Sequence, residues 1–150
     1  MSKYLVEDTR KVTTHRFIEM KRKGEKIAML TAYDYTTASI LDNAGIDALL
    51  VGDSASNVMA GNPTTLLMTL DQIIYHAQCV VRAVKRAHVV VDLPFGCYEA
   101  SDADAVRSAV RIMKESGADS IKIEGGEEML SPIKKLSLIH ISEPTRRYAI

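Results

Sequence analysis

The chain has 150 residues, of which 47% are hydrophobic and 25% are charged, and its formal net charge is +0. This composition is typical of a globular protein and excludes disordered and fibrous classes, while the balanced charge and 5% of aromatic residues argue against a nucleic-acid-binding surface. No apolar run approaches the ~20 residues of a membrane-spanning helix. The first residues do not read as a secretory signal, so we expect a cytoplasmic protein without membrane partners.

The first half of the chain predicts a leading helix and two strand–helix units. An amphipathic helix covers 14–23, a buried strand covers 27–33, and a second helix covers 34–45. Both helices end at a glycine, a common residue at helix ends. A second buried strand over 48–54 leads into a long loop over 55–68, where glycine, asparagine and proline interrupt regular structure.

The second half repeats this alternation. Thr69 or Asp71 caps a long helix whose apolar residues recur at helical spacing. His76 and Cys79 lie on this helix and are expected to pack rather than bind metal, and His88 is expected to be exposed or to act as a cap. The elements in order are a helix over 70–87, a strand over 88–95, a helix over 102–116, a strand over 120–126 and a helix that starts at 127.

Near-continuous apolar strands that alternate with helices predict a parallel sheet covered by helices, an α/β fold. Two architectures fit this pattern. An open, doubly wound sheet of ~150 residues would be a complete domain. An eight-stranded barrel typically needs ~250 residues, so this chain would be about half of one. Both folds bind ligands at the carboxyl ends of the strands, and the pattern leaves both open.

Three acidic residues follow apolar strands. Asp53, Asp92 and Glu124 each lie where a strand ends. A carboxylate next to buried apolar residues is costly unless a cation or a charged ligand compensates its desolvation. Because the carboxyl ends of parallel strands meet at one edge of the sheet, the three acids predict one shared site.

Lys122 and Glu124 are two residues apart on a strand and therefore point to the same face. They could simply form a salt bridge, Asp53 could cap a loop, and Asp92 could form a turn before Pro94. One lysine cannot neutralise three acids, however, whereas Mg²⁺ prefers several carboxylate oxygens together with water and substrate oxygens. The coincidence on three strands favours a metal site. Ser54 offers a hydroxyl and an N–H group to a substrate carboxylate.

The last residues of the chain differ from the rest in a way that predicts a non-native tail. Residues 136–146, LSLIHISEPTR, resemble the conceptual translation of a sequencing adapter. We therefore expect residues 1–135 to form the first part of a barrel domain and residues 136–150 to be a non-native tail. The alternative is that this segment is an ordinary amphipathic stretch.

Six motifs together resemble the ketopantoate hydroxymethyltransferase family over about residues 10–135. The motifs are TAYDY (31–35), LLVGDS (49–54), NPTTLLMT (62–69), YHAQCVVRA (75–83), VVVDLPF (89–95) and IKIEGG (121–126). The resemblance implies a (β/α)₈ TIM barrel of the phosphoenolpyruvate-mutase/isocitrate-lyase-like superfamily. The chain would hold its N-terminal half, about four strand–helix units. The resemblance also implies a homo-oligomer, often a homodecamer.

The resemblance further implies a function and a site. Asp53, Asp92 and Glu124 would bind Mg²⁺, and Asp53, Ser54, Asp92 and Lys122 would bind the keto acid. The reaction would transfer a hydroxymethyl group from 5,10-methylenetetrahydrofolate to 3-methyl-2-oxobutanoate, giving 2-dehydropantoate for pantothenate synthesis.

The family's general base, a glutamate, lies in the second half of the barrel. We therefore assign no catalytic residue to this chain and expect it to be inactive alone. Tyr33 and Asp34, at the end of the first strand, are expected to support the site without touching the substrate. Two alternatives stay open: another Mg²⁺-dependent keto-acid lyase or mutase of the same superfamily, and a complete flavodoxin-like binding domain.

Overall fold

A computed structural model describes residues 8–138 of the chain. Four strands form one parallel sheet in the order β1-β2-β3-β4. The strands are β1 (Met29–Thr31), β2 (Ala48–Val51), β3 (His88–Asp92) and β4 (Ser120–Lys122). The helices are α1 (Thr14–Lys23), α2 (Tyr35–Ala44), α3 (Ala55–Val58), α4 (Leu70–Ala83), α5 (Asp102–Ser116) and α6 (Leu130–Leu138), with 3₁₀ turns at Thr65–Leu67 and Glu127–Met129.

The strand order distinguishes the two predicted architectures. Each strand pairs with the next one along the chain, and the helices α2, α4, α5 and α6 pack against one another in the same sequence. A doubly wound sheet reverses its strand order at a switch point, which places helices on both faces. Here each crossover moves in the same direction along the sheet, and crossovers of one hand then leave the helices on one face. This arrangement is an arc of a barrel and contradicts the flavodoxin-like alternative.

The hydrophobic core lies between the sheet and this layer of helices. Alternate residues of the two central strands point towards the helices and are almost completely buried. The helices contribute apolar residues at helical spacing to the same core. The largest of these buried side chains are Leu49, Val51, Ile73, Val80, Val89, Val91 and Ile112.

The first strand is present as predicted, but the prediction that it is buried is wrong. Met29 and Leu30 are 46% and 51% exposed. β1 pairs only with β2 in the part of the chain that the structure describes, so no strand or helix there covers its outer edge. The apolar sequence is that of a central strand, but its position here is that of an edge strand.

The helix predicted over 70–87 ends earlier, at Ala83. Its start is as predicted, because the Thr69 side chain accepts a hydrogen bond from the Gln72 N–H group in a capping box. Its end is determined by Asp42, a buried carboxylate on α2. The Asp42 oxygens accept hydrogen bonds from the N–H groups of the next segment, which are thereby drawn out of the helix. These donors are Lys85 (2.9 Å), Arg86 (3.1 Å) and Ala87 (2.7 Å).

The segment before α1 covers the amino-terminal ends of the strands. The Val12 N–H group donates to the Arg86 carbonyl over 2.7 Å. His88 is 3% exposed rather than lying at the surface as expected, because its ring is enclosed by this segment. Its Nδ1 lies 3.2 Å from the Val12 carbonyl oxygen and its Nε2 lies 2.6 Å from Ser120 Oγ.

The carboxy-terminal helix extends beyond the boundary that the sequence predicts for the barrel domain. α6 continues to Leu138, and Leu136 is buried. The rest of the predicted tail, 139–150, lies outside the described residues, as do residues 1–7. Within residues 8–138, no helix combines the length and the apolar character needed to cross a lipid bilayer.

Candidate active site

Asp92 and Lys122 form the centre of the candidate site. They are the last residues of β3 and β4 and face each other in the register of the sheet. Their neighbours Val91 and Ile121 contact the helix-covered core, so these two side chains point to the opposite face. Lys122 Nζ donates to Asp92 Oδ1 over 2.7 Å. The strands themselves therefore place a lysine and an acid in contact.

Glu124 completes an acid–lysine–acid arrangement. β4 ends at Lys122, two residues before Glu124, so Glu124 lies in a loop and its side chain is 71% exposed. Lys122 Nζ also donates to Glu124 Oε1, over 2.6 Å. The salt bridge considered for this pair is therefore present, and Asp92 shares it.

Burial and neighbouring charge shift the pKa values of Asp92 and Lys122 in opposite directions. Burial raises the pKa of Asp92 above its ordinary value, although Lys122 acts to lower it. Burial alone would lower the pKa of Lys122, but its hydrogen bonds to Asp92 and Glu124 raise it overall. Lys122 is therefore a permanent cation near neutral pH.

Asp53 joins this group through its backbone. Its N–H group donates to Asp92 Oδ2 over 3.3 Å, so both oxygens of Asp92 accept a hydrogen bond. The preceding residue is a glycine for a steric reason. A Cβ atom on Gly52 would lie 2.8 Å from Ser54 Oγ and 3.3 Å from Asp92 Oδ2. Glycine lets the loop after β2 approach these two side chains without displacing either of them.

Ser54 is held from the side of β1. The Tyr33 hydroxyl lies 2.7 Å from Ser54 Oγ, and His76 Nδ1 lies 2.8 Å from the Tyr33 carbonyl oxygen. The expectation that Tyr33 supports the site agrees with this contact. Asp34 has another role, because its carboxylate caps α2 by accepting hydrogen bonds from Thr37.

The three predicted acids line one cavity of about 160 Å³. Its other walls are formed by residues that the sequence did not single out, namely Thr65, Leu66, Leu93, Phe95, Tyr98 and Glu99. Of these, Tyr98 is buried and donates its hydroxyl to the Glu124 carbonyl over 3.2 Å.

The donor set suits a hard divalent cation. Asp53, Asp92 and Glu124 bring three carboxylates to the cavity against the single ammonium group of Lys122. Carboxylate oxygens are the ligands that Mg²⁺ prefers. Among residues 8–138, however, no three acidic, histidine or cysteine side chains are grouped closely enough to enclose a metal as they stand. Lys122 occupies the position between Asp92 and Glu124.

Sequence comparison relates the chain to one group of enzymes. The pattern of the ketopantoate hydroxymethyltransferase family matches residues 11–142. Proteins named 3-methyl-2-oxobutanoate hydroxymethyltransferase from Bacteroides fragilis and Porphyromonas gingivalis are 65% identical over 136 residues, which is 91% of this chain and 50% of each relative. The chain thus spans about half the length of the curated relatives it matches.

Structural comparison agrees on the fold. A phosphonopyruvate hydrolase solved with oxalate and Mg²⁺ matches 84% of this chain and 48% of its own, with a TM-score of 0.64 and 13% identity. A phosphoenolpyruvate phosphomutase from Streptomyces platensis subsp. rosaceus matches 74% and 37%, with a TM-score of 0.59 and 16% identity. The predicted fold class is confirmed: the four strand–helix units have the fold of part of a TIM barrel, as in these two enzymes.

Proposed function

We propose a function from the fact that this chain belongs to the ketopantoate hydroxymethyltransferase family. As part of a complete barrel, the chain transfers a hydroxymethyl group from 5,10-methylenetetrahydrofolate to 3-methyl-2-oxobutanoate, which yields 2-dehydropantoate for pantothenate synthesis. The observation that carries the proposal is the contact between Asp92 and Lys122 at the carboxyl ends of β3 and β4, beside two further carboxylates on the same cavity. This edge is where barrel enzymes bind their substrates.

The keto acid is anionic, and the site offers it two kinds of donor. Lys122 is charged and lies at the strand end, so it suits a carboxylate or keto oxygen of the substrate. Ser54 offers its hydroxyl and Asp53 lies beside it. As negative charge develops on the keto oxygen during loss of the C3 proton, the ammonium group of Lys122 stabilises it.

Mg²⁺ is the proposed cofactor, with Asp53, Asp92 and Glu124 as its protein ligands, directly or through water. When bound, it would supply positive charge for the two vicinal oxygens of the keto acid. A bound cation would be a third partner for Asp92, since its two oxygens already accept hydrogen bonds from Lys122 and from the Asp53 N–H group. These two donors orient the carboxylate that would hold the cation.

The proton acceptor is proposed to lie in the second half of the barrel, outside this chain. The acids after β4, Glu127 and Glu128, begin a 3₁₀ turn, and Glu128 accepts a hydrogen bond from the Gly126 N–H group, so its role is local. The chain alone is therefore proposed to be inactive. The complete enzyme is proposed to be a cytoplasmic homo-oligomer, as a homodecamer, that acts on small molecules.

The test uses a completed barrel, in which residues 1–135 are joined to the second half of the Bacteroides fragilis relative. Incubation with Mg²⁺, 3-methyl-2-oxobutanoate and 5,10-methylenetetrahydrofolate should produce 2-dehydropantoate, detected by NMR. The 150-residue chain, assayed in parallel, should show no turnover. A folded completed barrel that forms no product, or one that cleaves phosphonopyruvate instead, would contradict the proposal.

A further inference from the structure

We propose that Tyr33 is a positioning residue that orients the Ser54 hydroxyl towards the carboxylate of the keto acid. This inference rests on the proposed function, because it requires that Ser54 bind that carboxylate. It adds a residue from the loop after β1 to a site that is otherwise built from the ends of β2, β3 and β4.

The contact is short and partly shielded from water. The Tyr33 hydroxyl lies 2.7 Å from Ser54 Oγ, and Tyr33 is 8% exposed, whereas Ser54 is half-buried. A hydrogen bond in such a position is stronger than a fully exposed one, because water competes less for the buried partner. The hydrogen bond therefore keeps the two hydroxyl groups of Tyr33 and Ser54 in a defined relative position.

Tyr33 is itself held in place by α4. The Tyr33 carbonyl can only accept a hydrogen bond, so His76 Nδ1, 2.8 Å away, donates to it. The two rings also meet edge to face, with their centroids 6.4 Å apart. Because the capping box at Thr69 fixes the start of the same helix, the backbone at Tyr33 is tied to a rigid element.

An anionic ligand selects one direction of the hydrogen bond. Each hydroxyl has one proton, and either oxygen of the pair could donate. If Ser54 donated to Tyr33, it would present lone pairs to the carboxylate and repel it. When Tyr33 donates to Ser54 Oγ, the Ser54 proton is free to point at the carboxylate, and the donated bond makes it a stronger donor.

Steric confinement limits the alternatives for Ser54. A Cβ on Gly52 would lie 2.8 Å from Ser54 Oγ, so the hydroxyl lies close to the Gly52 backbone as well as to Tyr33. The Gly52 backbone thus limits the positions available to the Ser54 side chain. Loss of the Tyr33 hydroxyl would therefore leave Ser54 in place but without a fixed proton direction.

A double-mutant cycle in the completed barrel tests the proposal. The variants are Tyr33→Phe, Ser54→Ala and the two combined, with Tyr35→Phe as a matched control, since Tyr35 is exposed and begins α2. Tyr33→Phe should weaken 3-methyl-2-oxobutanoate binding between about threefold and tenfold, the effect of one hydrogen bond. KM for the keto acid should rise by the same factor while kcat changes less than about twofold.

The decisive result is the combined variant. If Tyr33 acts through Ser54, Tyr33→Phe should have no further effect once Ser54 is alanine. Additive effects, or normal binding by Tyr33→Phe when Ser54→Ala binds weakly, would overturn the inference and leave the proposed function intact. Normal binding by Ser54→Ala would instead remove Ser54 from the proposed site.

An uncharged ligand separates positioning from a general structural role. Tyr33→Phe should affect the affinity for 3-methyl-2-oxobutanamide less than that for the acid, because the amide lacks the anion that selects the proton direction. Equal losses for both ligands would indicate a structural role and refute the proposal. If Tyr33→Phe fails to fold, 3-fluorotyrosine at position 33 replaces it. This stronger donor should tighten keto-acid binding, and weaker binding would count against the proposal.

Discussion

Asp92 accepts a hydrogen bond at each carboxylate oxygen, one from the Lys122 ammonium group and one from the Asp53 backbone. It is also the most deeply buried of the three acids proposed to hold Mg²⁺. These two hydrogen bonds hold the buried carboxylate in one position, because each donor restricts the oxygen that it contacts. Removal of this side chain should affect the cation and the substrate together.

Replacement of Asp92 by alanine in the completed barrel should therefore abolish the Mg²⁺-dependent part of keto-acid binding. We expect affinity in the presence of Mg²⁺ to fall at least about tenfold, since a cation ligand and the partner of Lys122 are lost together. Calorimetric titration with and without Mg²⁺ measures this. Glu115→Ala on the exposed face of α5 is the control. Unchanged Mg²⁺ dependence in Asp92→Ala would remove this residue from the site.

Gly52→Ala tests the close approach of the loop after β2. The new methyl group would lie 2.8 Å from Ser54 Oγ and would displace that hydroxyl. Keto-acid KM should rise about tenfold or more, whereas Gly24→Ala, which meets nothing within 4 Å, should affect stability alone. Steady-state kinetics and melting curves of both variants provide the measurement. Wild-type KM for Gly52→Ala would mean that Ser54 is free to move.

At the level of single residues, the sequence indicated the charged residues of the candidate site but not the residues that surround them. Asp53, Asp92 and Lys122 were predictable because charged residues next to apolar strands are rare and conspicuous. Tyr98 and Phe95 were not, since aromatic residues in a loop without periodicity give no sign of which way they face. The bond between Tyr33 and Ser54 joins residues 21 positions apart and depends on the pairing of β1 with β2.

Among the secondary-structure elements, the junction between α4 and β3 depends on one carboxylate. Asp42 accepts hydrogen bonds from three successive N–H groups, and its side chain is 1% exposed. Asp42→Asn keeps the shape but places an amide group where some of these donors converge. We expect unfolding free energy in urea to fall by about 2–4 kcal/mol.

The matched control for this change is Asp34→Asn, at the exposed cap of α2. Asparagine is also a good N-cap residue, so this variant should lose less than about 1 kcal/mol. A loss for Asp42→Asn no larger than that of the control would show that the junction does not depend on the carboxylate.

His88 should make stability dependent on pH. Burial lowers its pKa below the ordinary value of 6.5, so the folded protein disfavours the protonated ring. Lys11 acts in the same direction, and Asp119 opposes it. Just below pH 6.5 the unfolded chain therefore binds more protons than the folded protein does. The contribution of His88 to the free energy of unfolding is fully present above that pH and is lost as the pH falls below it.

Urea unfolding of the completed barrel at about pH 7.5 and about pH 5.5 measures this loss. His88→Asn cannot titrate, so it should be less stable at the higher pH but should show a smaller change between the two. An equal change in both proteins would assign the pH dependence to other groups.

The starts of α1, α2, α4 and α5 were predicted to within one residue because caps are local, whereas α3 was predicted as loop and α6 begins at Leu130 rather than at 127. Ser, Thr and Asp at the first position bond to N–H groups two or three residues ahead, so the signal and its effect are adjacent. The end of α4 could not be predicted, since the carboxylate that terminates it comes from α2, more than 40 residues earlier. Strand ends were predicted too long for the same reason, because pairing with a neighbour determines where a strand stops.

For the whole molecule, the alternation of strands and helices predicted the layers but not their order. A barrel and a doubly wound sheet share the same pattern along the chain, and only strand adjacency separates them. The exposed β1 also escaped prediction, because an apolar sequence does not reveal whether its partner is present. Open parallel edges of this kind promote association.

Leu30→Lys should have opposite effects in two contexts. In the 150-residue chain it places a charge on an exposed edge and should reduce aggregation, measured by light scattering. In the completed barrel the same position would be covered, and unfolding free energy should fall by about 2–4 kcal/mol. Ile40→Lys, an exposed apolar residue on α2, is the control. Equal effects in both contexts would contradict a covered β1.

The attachment of the amino-terminal segment has a consequence for the order of folding. Lys11 Nζ donates to the Ala87 carbonyl and Arg86 Nε donates to the Asp8 carbonyl, contacts that span 76 and 78 residues. During synthesis residues 8–12 leave the ribosome before these partners exist. The segment before α1 is therefore fixed only after Arg86 and Ala87 have been translated, and it closes the amino-terminal end of a sheet whose first two strands are already available to pair.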